Sequence, residues 1–450
     1  MQQISFIHVS DLHLDNFPPV KEENDEMAMR LHEAPYEALK NLLELCRQKS
    51  PQFIVFSGDI HEHGPLSLKA RLHLTIFFNS LKTLSIPFYY ACGNHDHLGQ
   101  NDSFFQNFDF VFRFSDTWSC FPFPPQNETD KNEENTPLCH IYGISHTVRK
   151  ELKNLLKDFS YENKACFNIG VLHASVHSLE KVKNTDKHVV ALCKEKDFDP
   201  YPLDYWALGH IHEPAVIRKN PMLVYAGAMQ AARMNENGGH GAYFVTLQKD
   251  EKDEHADITA EFFPLAPLES YTFSLPLPSL QGEELENTEQ CLEYFLYTFK
   301  KEYTKILKNP LCHTRIFTLF LEGQHDLSEK LQDEEFIQTL KTQLEALNLD
   351  TRIFIHTIKC LIRPCFSYEN AHKRDDLLGE VFRVIEELRQ NPALFEELLK
   401  SIENDFKIKN EIDLGFFMHS DKPNPEQLEK YQKALLQACE NICVNILEPK

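Results

Sequence analysis

None of the 12 cysteines belongs to a CxxC pair. A thiolate zinc cage or a dithiol redox centre therefore has no support in the sequence. Cys439 and Cys443 stand four apart in an expected helix, an ordinary packing arrangement, and the scattered thiols fit a reducing, cytoplasmic setting. No run of about 18 apolar residues occurs, so no membrane span is expected. The opening MQQISFIHVS lacks the basic start and long apolar core of a secretory leader. Positive charge is scarce as well: 46 Lys and Arg stand against 68 Asp and Glu, a net charge of −22. That argues against a protein held to nucleic acid or membrane by bulk charge. It leaves room for local contact with phosphate, because bound divalent ions reverse the field at a site. There is no internal repeat.

What remains is an ordinary globular composition, 42% hydrophobic and 25% charged, in 450 residues with 34 Phe and 15 Tyr. The length suits two or three domains. The first half alternates strand and helix. ISFIHVS (Ile4–Ser10), FIVFSGD and FYYACGN read as strands. YEALKNLLELCRQ (Tyr36–Gln48) places Leu39, Leu42, Leu43 and Cys46 on one helical face, and Ser67–Leu84 repeats at i,i+4 through Leu68, Leu72 and Ile76. FNIGVLH, YWALGHIH, MLVYAG and AYFVTL follow as further strands. Such alternation predicts an α/β layered fold. Phe121–Pro137, rich in Pro, Asn and Glu, reads as a surface insertion. A Pro-rich stretch from Pro264 marks a boundary. Beyond it come a βαβαβ block and, from Asp375, an acidic helical region. Domains are expected at 1–264, 265–365 and 366–450.

Five clusters of polar residues follow β-rich runs. Asp11 and His13 lie in HVSDLHLD, Asp59 in FSGDIHEH, Asn94, His95 and Asp96 in CGNHDH, His173 in VLHAS, and His210 and His212 in LGHIHEP. Ligand sites in α/β folds collect at the carboxyl ends of strands. In extended chain, residues i and i+2 share a face, so both members of D-x-H or H-x-H can reach one centre. Oxygen and imidazole donors without thiolate suit Mn²⁺, Fe²⁺ or Zn²⁺.

The series D-x-H, GD, GNHD, H and GH-x-H resembles the calcineurin-like metallophosphoesterase superfamily. HVSDLHLD, SLKARLHL, GNHDHLG, YWALGHIHEP and YAGAMQAAR resemble its SbcD-type DNA repair nucleases, especially the YhaO-like branch, over roughly residues 1–250. The resemblance implies a two-sheet sandwich flanked by helices, a smaller α+β capping domain and a helical C-terminal region. It implies two divalent ions, preferably Mn²⁺. Asp11, His13 and His212 would hold one, Asn94, His173 and His210 the other, and Asp59 would bridge them. His95 would face the scissile phosphate as the catalytic group, with Asp96 orienting its ring. Two such ions, about 3.5–4 Å apart, clamp a phosphodiester and activate water for in-line attack. Some relatives carry a histidine three residues after the bridging Asp; here Glu62 stands there, between His61 and His63, which are read as neighbours of the site or as exposed groups. His97 is read as an exposed loop residue.

These features point to a metal-dependent DNA exonuclease or phosphodiesterase. A phosphoesterase for nucleotides or other small phosphoesters is the alternative, and a non-catalytic partner-binding subunit is disfavoured by the complete set of site residues. The implied partners are DNA and an SbcC-like or YhaN-like coiled-coil ATPase docked on the helical tail, with no membrane; a homodimer is allowed.

Overall fold

The structure is a computed structural model. It describes residues 2–363 apart from 16–24, 63, 100–101, 125–136, 162–165, 178–188, 232, 251–255 and 279–284, together with a few residues between 379 and 394. The expected helical tail lies almost wholly outside the described residues. Met1–Gly323 with Glu329–Ile362 make one compact unit, and Gln324–Ser328 with Arg363–Lys450 make another.

The chain opens with β1 (Gln2–Val9), α1 (Asp25–Lys49), β2 (Phe53–Phe56), α2 (Leu68–Thr83), β3 (Phe88–Tyr90), the short α3 (Asp102–Phe105) and β4 (Val111–Arg113). It then crosses to a second layer. This contains β5 (Ser119–Phe123), β6 (Cys139–Gly143), β7 (Phe167–His173), the two-residue strands β8 (Val176–His177) and β9 (Cys193–Lys194), β10 (Tyr205–Gly209), β11 (Ala215–Lys219) and β12 (Met222–Tyr225). The chain returns to the first layer with β13 (Gly241–Lys249) and β14 (Asp257–Pro264). The sheets run β14-β13-β1-β2-β3-β4 and β11-β12-β10-β7-β6-β5. The fold is the expected α/β sandwich.

Strand alternation builds two cores from one sheet. Ile4 and Phe6 of β1 and Phe53 and Val55 of β2 face the second sheet, where they meet Ile141, Phe167, Ile169 and Tyr205. Ile7, Val9, Ile54 and Phe56 face the other way, onto Leu39, Leu42, Phe77 and Phe78 of the helices. Burial on both faces explains why these strands read as nearly continuous apolar runs. Each buried Leu or Phe contributes about 1.5–3 kcal/mol relative to exposure.

Three expectations are corrected here. Helix α2 forms where predicted, capped by the Ser67 hydroxyl on the Ala70 N–H, but its buried face is Ala70, Leu74, Phe77, Phe78 and Leu81. Leu68, Leu72 and Ile76, the stripe read from the sequence, are exposed. Two overlapping i,i+4 apolar rows exist in this helix, and the one carrying the two Phe residues has more surface to bury. The insertion is also narrower than read, since Phe121–Phe123 pair with β6; residues 125–136 are outside the described set. Helix α1 starts well before Tyr36 and runs through Pro35. Its first turns persist because Met27, Leu31 and Ala34 pack on Leu268 and Ile316 of the following block.

That block is β15 (Leu268–Pro276), α4 (Thr288–Tyr303), β16 (Thr314–Gln324), α5 (Ser328–Gln332), α6 (Glu334–Glu345) and β17 (Arg352–Arg363), with strand order β15-β16-β17. The buried Arg315 guanidinium lies 3.1 Å from the equally buried Glu269 carboxylate and donates to Tyr303 Oη at 2.8 Å, so the buried charge is paired.

Candidate functional site

Strands β1, β2 and β3 are parallel, as are β6, β7, β10 and β12. Their carboxyl ends therefore open on the same edge of each sheet. Asp11, Asp59 and Asn94 follow the first three strands; His173 ends β7 and His210 follows β10. The loops after β1 and β2 are zipped together: the Asp11, His13 and Leu14 N–H groups donate to the Gly58, Asp59 and Ile60 carbonyls, and Glu62 N–H returns to the Leu14 carbonyl. Asp15 anchors this pair, accepting from the Tyr36 hydroxyl at 2.7 Å and from the backbone and hydroxyl of Ser67.

Four of the site residues occupy left-handed backbone, Asp11 at φ 49°, His13 at 48°, Asp59 at 61° and His210 at 96°. Such conformations cost of order 1–3 kcal/mol each for non-glycine residues, and they gather at functional sites. Glycines clear the space between them. Gly58 is itself left-handed at φ 101°, and a Cβ there would stand 2.4 Å from His173 Nδ1. A Cβ on Gly93 would stand 2.2 Å from Asp59 Oδ1. The Gly of GNHD is thus required by close approach to the carboxylate.

The ring nitrogens and carboxylates converge at two points. At the first, His13 Nε2 and His212 Nε2 are 3.1 Å apart, and Asp11 Oδ1 lies 3.7 Å from His13 Nε2 and 3.8 Å from His212 Nε2. Both Nδ1 atoms are already committed, His13 to Glu62 at 3.1 Å and His212 to Glu236 at 2.7 Å. A carboxylate only accepts, so each Nδ1 carries a proton, and a ring without a second proton aims its Nε2 lone pair at the other. At the second point His173 donates from Nδ1 to the Ser57 carbonyl at 2.8 Å. Its Nε2 faces Asn94 Oδ1 at 3.0 Å and Asp59 Oδ2 at 3.3 Å. Asp59 Oδ2 is also 3.7 Å from His13 Nε2, so it stands between the two. Lone pairs aimed at one another need a cation between them, and carboxylate–imidazole pairs of this kind orient metal-ligating histidines. The residues fit two divalent ions sharing Asp59.

Electrostatics agree. Asp11 and Asp59 are buried, and among the described residues neither pairs with Lys or Arg. Burial opposes their ionisation, but the hydrogen bond from His13 and the charges of His173 and His212 lower Asp11, and His173, His13 and His95 hold Asp59 well below the usual carboxylate range. Burial works against protonation of His13 and His173 too. The carboxylates of Asp11, Glu62 and Asp59 nevertheless hold His13 well up, and Asp59 with Asp11 raises His173 to about 9. In the metal-free protein those protons stand in for the cations.

His210 is placed less directly. Its ring lies beside that of His173, centroids 5.3 Å apart, and its N–H donates to Asp11 Oδ2 at 3.0 Å. Burial drops its pKa to about 3, so its ring is neutral. It belongs to none of the three His and carboxylate sets whose atoms converge within 4.8 Å. His95 does: His13, Asp59 and His95 form one such set. The His95 N–H donates to Asp59 Oδ1 at 2.8 Å, and its Nδ1 is 2.7 Å from Glu62 Oε2.

The orienting role expected of Asp96 is corrected by these contacts. Its carboxylate accepts from the backbone N–H groups of Gly93, Asp59 and Ile60 at 2.6, 3.1 and 2.9 Å. It is a clasp between the loops after β2 and β3. Glu62 holds the His95 ring instead. The sequence also concealed Glu236, 24 residues beyond His212, and His146, whose Nε2 meets the His173 carbonyl at 2.7 Å. No spacing marks either. His61 is buried, its Nδ1 2.5 Å from the Glu62 carbonyl. His97 is half-buried, not exposed, and His63 lies outside the described residues.

The enclosed side of the cluster is Asp11 and His173, each 0% exposed, with Asp59 at 2%. His212 at 20%, His95 at 25% and Glu62 at 26% form the open rim.

Comparison with known proteins matches this geometry. The family model for calcineurin-like phosphoesterases fits residues 4–214. The uncharacterized metallophosphoesterase YhaO of Bacillus subtilis is 30% identical over 264 residues, covering 58% of this chain and 60% of the relative. The DNA double-strand break repair protein Mre11 of Methanocaldococcus jannaschii is 25% identical over 259 residues, 55% of this chain and 64% of the relative. The Thermoplasma acidophilum protein of the same name is 24% identical over 255 residues, 55% and 63%. The chain thus spans less than two thirds of the length of these relatives. Among the described residues no helix is long and apolar enough to cross a membrane. Residues 4–214, which hold the strand-end carboxylates and imidazoles, thus carry a calcineurin-like metallophosphoesterase domain.

Proposed function

We propose that this chain is a metal-dependent phosphodiesterase acting on DNA ends, with Mn²⁺ as the working ion. The observation that carries the reading is the half-exposed His95 on the open side of two lone-pair foci that share Asp59. The likeness to proteins described as Mre11 DNA double-strand break repair proteins directs it towards DNA. Divalent ions bound at the two foci supply charge to the phosphoryl oxygens and an activated water.

The chain's own groups do the rest. Asp11, His13 and His212 would hold one ion, and Asn94 and His173, with His210 beside them, the other; Asp59 would serve both. Glu62, Glu236 and the Ser57 carbonyl fix the ring tautomers that present Nε2 inward. His95, with Nδ1 on Glu62, presents its other nitrogen to the substrate, where in the imidazolium form it donates to a phosphoryl or leaving oxygen. One such donor is worth about 10²–10⁴-fold in rate. In this reading the block from Leu268 to Arg363 caps the phosphoesterase part and shapes access for DNA. The C-terminal region docks a coiled-coil ATPase of the SbcC or YhaN kind in the cytoplasm.

The test is hydrolysis by purified protein with Mn²⁺ of end-labelled duplex, end-labelled single strand and free nucleotides. Shortening of labelled DNA from its ends supports the proposal. Turnover of nucleotides with intact DNA replaces it with a small-phosphoester activity.

A further inference from the structure

We infer that Gln230 is a positioning residue for His212, fastening the segment that carries Glu236 to strand β15. The inference rests on the two-ion reading proposed above. His212 lies on the rim, its side chain 20% exposed, so packing alone does not fix its ring. The segment between β12 and β13 does so instead. The Ala228 N–H donates to the His212 carbonyl at 3.0 Å, and His212 Nδ1 donates to the Glu236 carboxylate at 2.7 Å. A local turn holds that carboxylate: Glu236 N–H donates to the Arg233 carbonyl at 3.2 Å, and Arg233 N–H donates to Glu236 Oε2 at 3.3 Å.

The turn itself is clamped on both sides to the block that follows the sandwich. Before it, the buried Gln230 meets both polar groups of one residue. Its Nε2 donates to the Leu268 carbonyl at 3.0 Å, and its Oε1 accepts from the Leu268 N–H at 3.5 Å. A primary amide offers the donor and the acceptor side by side that this pairing needs. After it, the Gly238 N–H donates to the Ser270 carbonyl at 3.0 Å, and the His240 carbonyl accepts from Leu265 and Ala266. Between the clamps Met234 packs on the cluster of Leu268, Ile316 and the first turns of α1. Glu236 therefore hangs from a span whose two ends are set by β15 and its approach. Release of the Gln230 end lets the carboxylate drift and the His212 ring turn.

Gln230→Met is the discriminating substitution, since it keeps the length and bulk of the side chain and removes both hydrogen bonds. The measurements are titration with Mn²⁺, read from the free ion by electron paramagnetic resonance, and melting temperature as the check on folding. Groups behind a metal ligand typically carry about 10–100-fold in affinity. Gln230→Met should weaken one class of site by about tenfold, the low end of that range, and leave the other within about twofold. In the Glu236→Gln background the same change should add little, because residues acting through one contact are not additive. Should Gln230→Met unfold, Met234→Ala loosens the same span from its packing and carries the same expectations.

The inference is overturned if neither class weakens, if both weaken alike, or if the effects of Gln230→Met and Glu236→Gln multiply in full. None of these arms needs a substrate. The expected pattern in a protein that hydrolyses no phosphodiester sustains the inference and refutes the functional reading. Hydrolysis of DNA by a Gln230→Met protein with unaltered metal classes does the reverse.

Discussion

His13 and His212, 199 residues apart, meet Nε2 to Nε2 at 3.1 Å, each with its Nδ1 on a different glutamate. Their Nε2 lone pairs, once free of protons, repel unless a cation lies between them. Glu236→Gln should therefore loosen the ion at the first focus by about 10–100-fold while leaving the second in place. Titration with Mn²⁺ would show one tight and one weakened class of site. Two unchanged classes would mean that Glu236 merely caps the ring.

Proton competition gives a second prediction. His13 is held well above its ordinary value and His173 at about 9, against 6.5 for a free imidazole. Both rings must lose a proton to take a metal. Metal affinity should rise with pH, up to about tenfold per unit for each proton released, until His173 has titrated near 9. The metal-free protein should behave oppositely. A raised folded-state value stabilises below 6.5, and that contribution is lost as pH climbs through the folded value. Its melting temperature should fall between pH 6.5 and 9 while that of the loaded protein does not. Parallel pH profiles for the two forms would contradict this.

Asp96 and His95 are neighbours with different tasks, and substitution should separate them. His95→Ala should keep both ions and a near-normal melting temperature and lose about 10²-fold or more in cleavage rate. Asp96→Ala leaves three buried N–H groups without their acceptor, at about 1–3 kcal/mol for each group left unsatisfied. It should lose stability and ions together. A stable Asp96→Ala protein with full metal content would show that the clasp is dispensable.

The fourth prediction concerns helix α2. Leu72→Ala should change stability by less than about 0.5 kcal/mol, as at exposed sites generally, whereas Leu74→Ala should cost about 2–5 kcal/mol. Chemical denaturation of the two variants decides which face is the core; equal losses would restore the sequence's choice.

That reversal shows where sequence reading stops. The strands were legible because burial on both faces gives apolar runs that end in turn residues, as in FIVFSGD and FYYACGN. The candidate site residues were legible because D-x-H, GNHD and H-x-H put several donors at the end of one strand. Helix α2 has two apolar rows of equal spacing, and only the position of the sheet distinguishes them. Glu62 was visible as a departure from relatives, but its contacts with His13 and His95 depend on two loops zipped side by side. Glu236 and His146 reach the site through tertiary packing alone. Asp96 misled because adjacency in sequence was taken for adjacency of side chains, while the turn directs His95 outward and Asp96 inward.

The account turns on two cation-binding foci that share one carboxylate, Asp59, whose Oδ2 is 3.3 Å from His173 Nε2 and 3.7 Å from His13 Nε2. The most direct measurement is metal content per chain by elemental analysis after Mn²⁺ loading and desalting, for the wild type and for Asp59→Ala. The account predicts about two ions in the wild type and loss of both in the variant. A wild type that retains one ion or none, or an Asp59→Ala protein that keeps two, would contradict it.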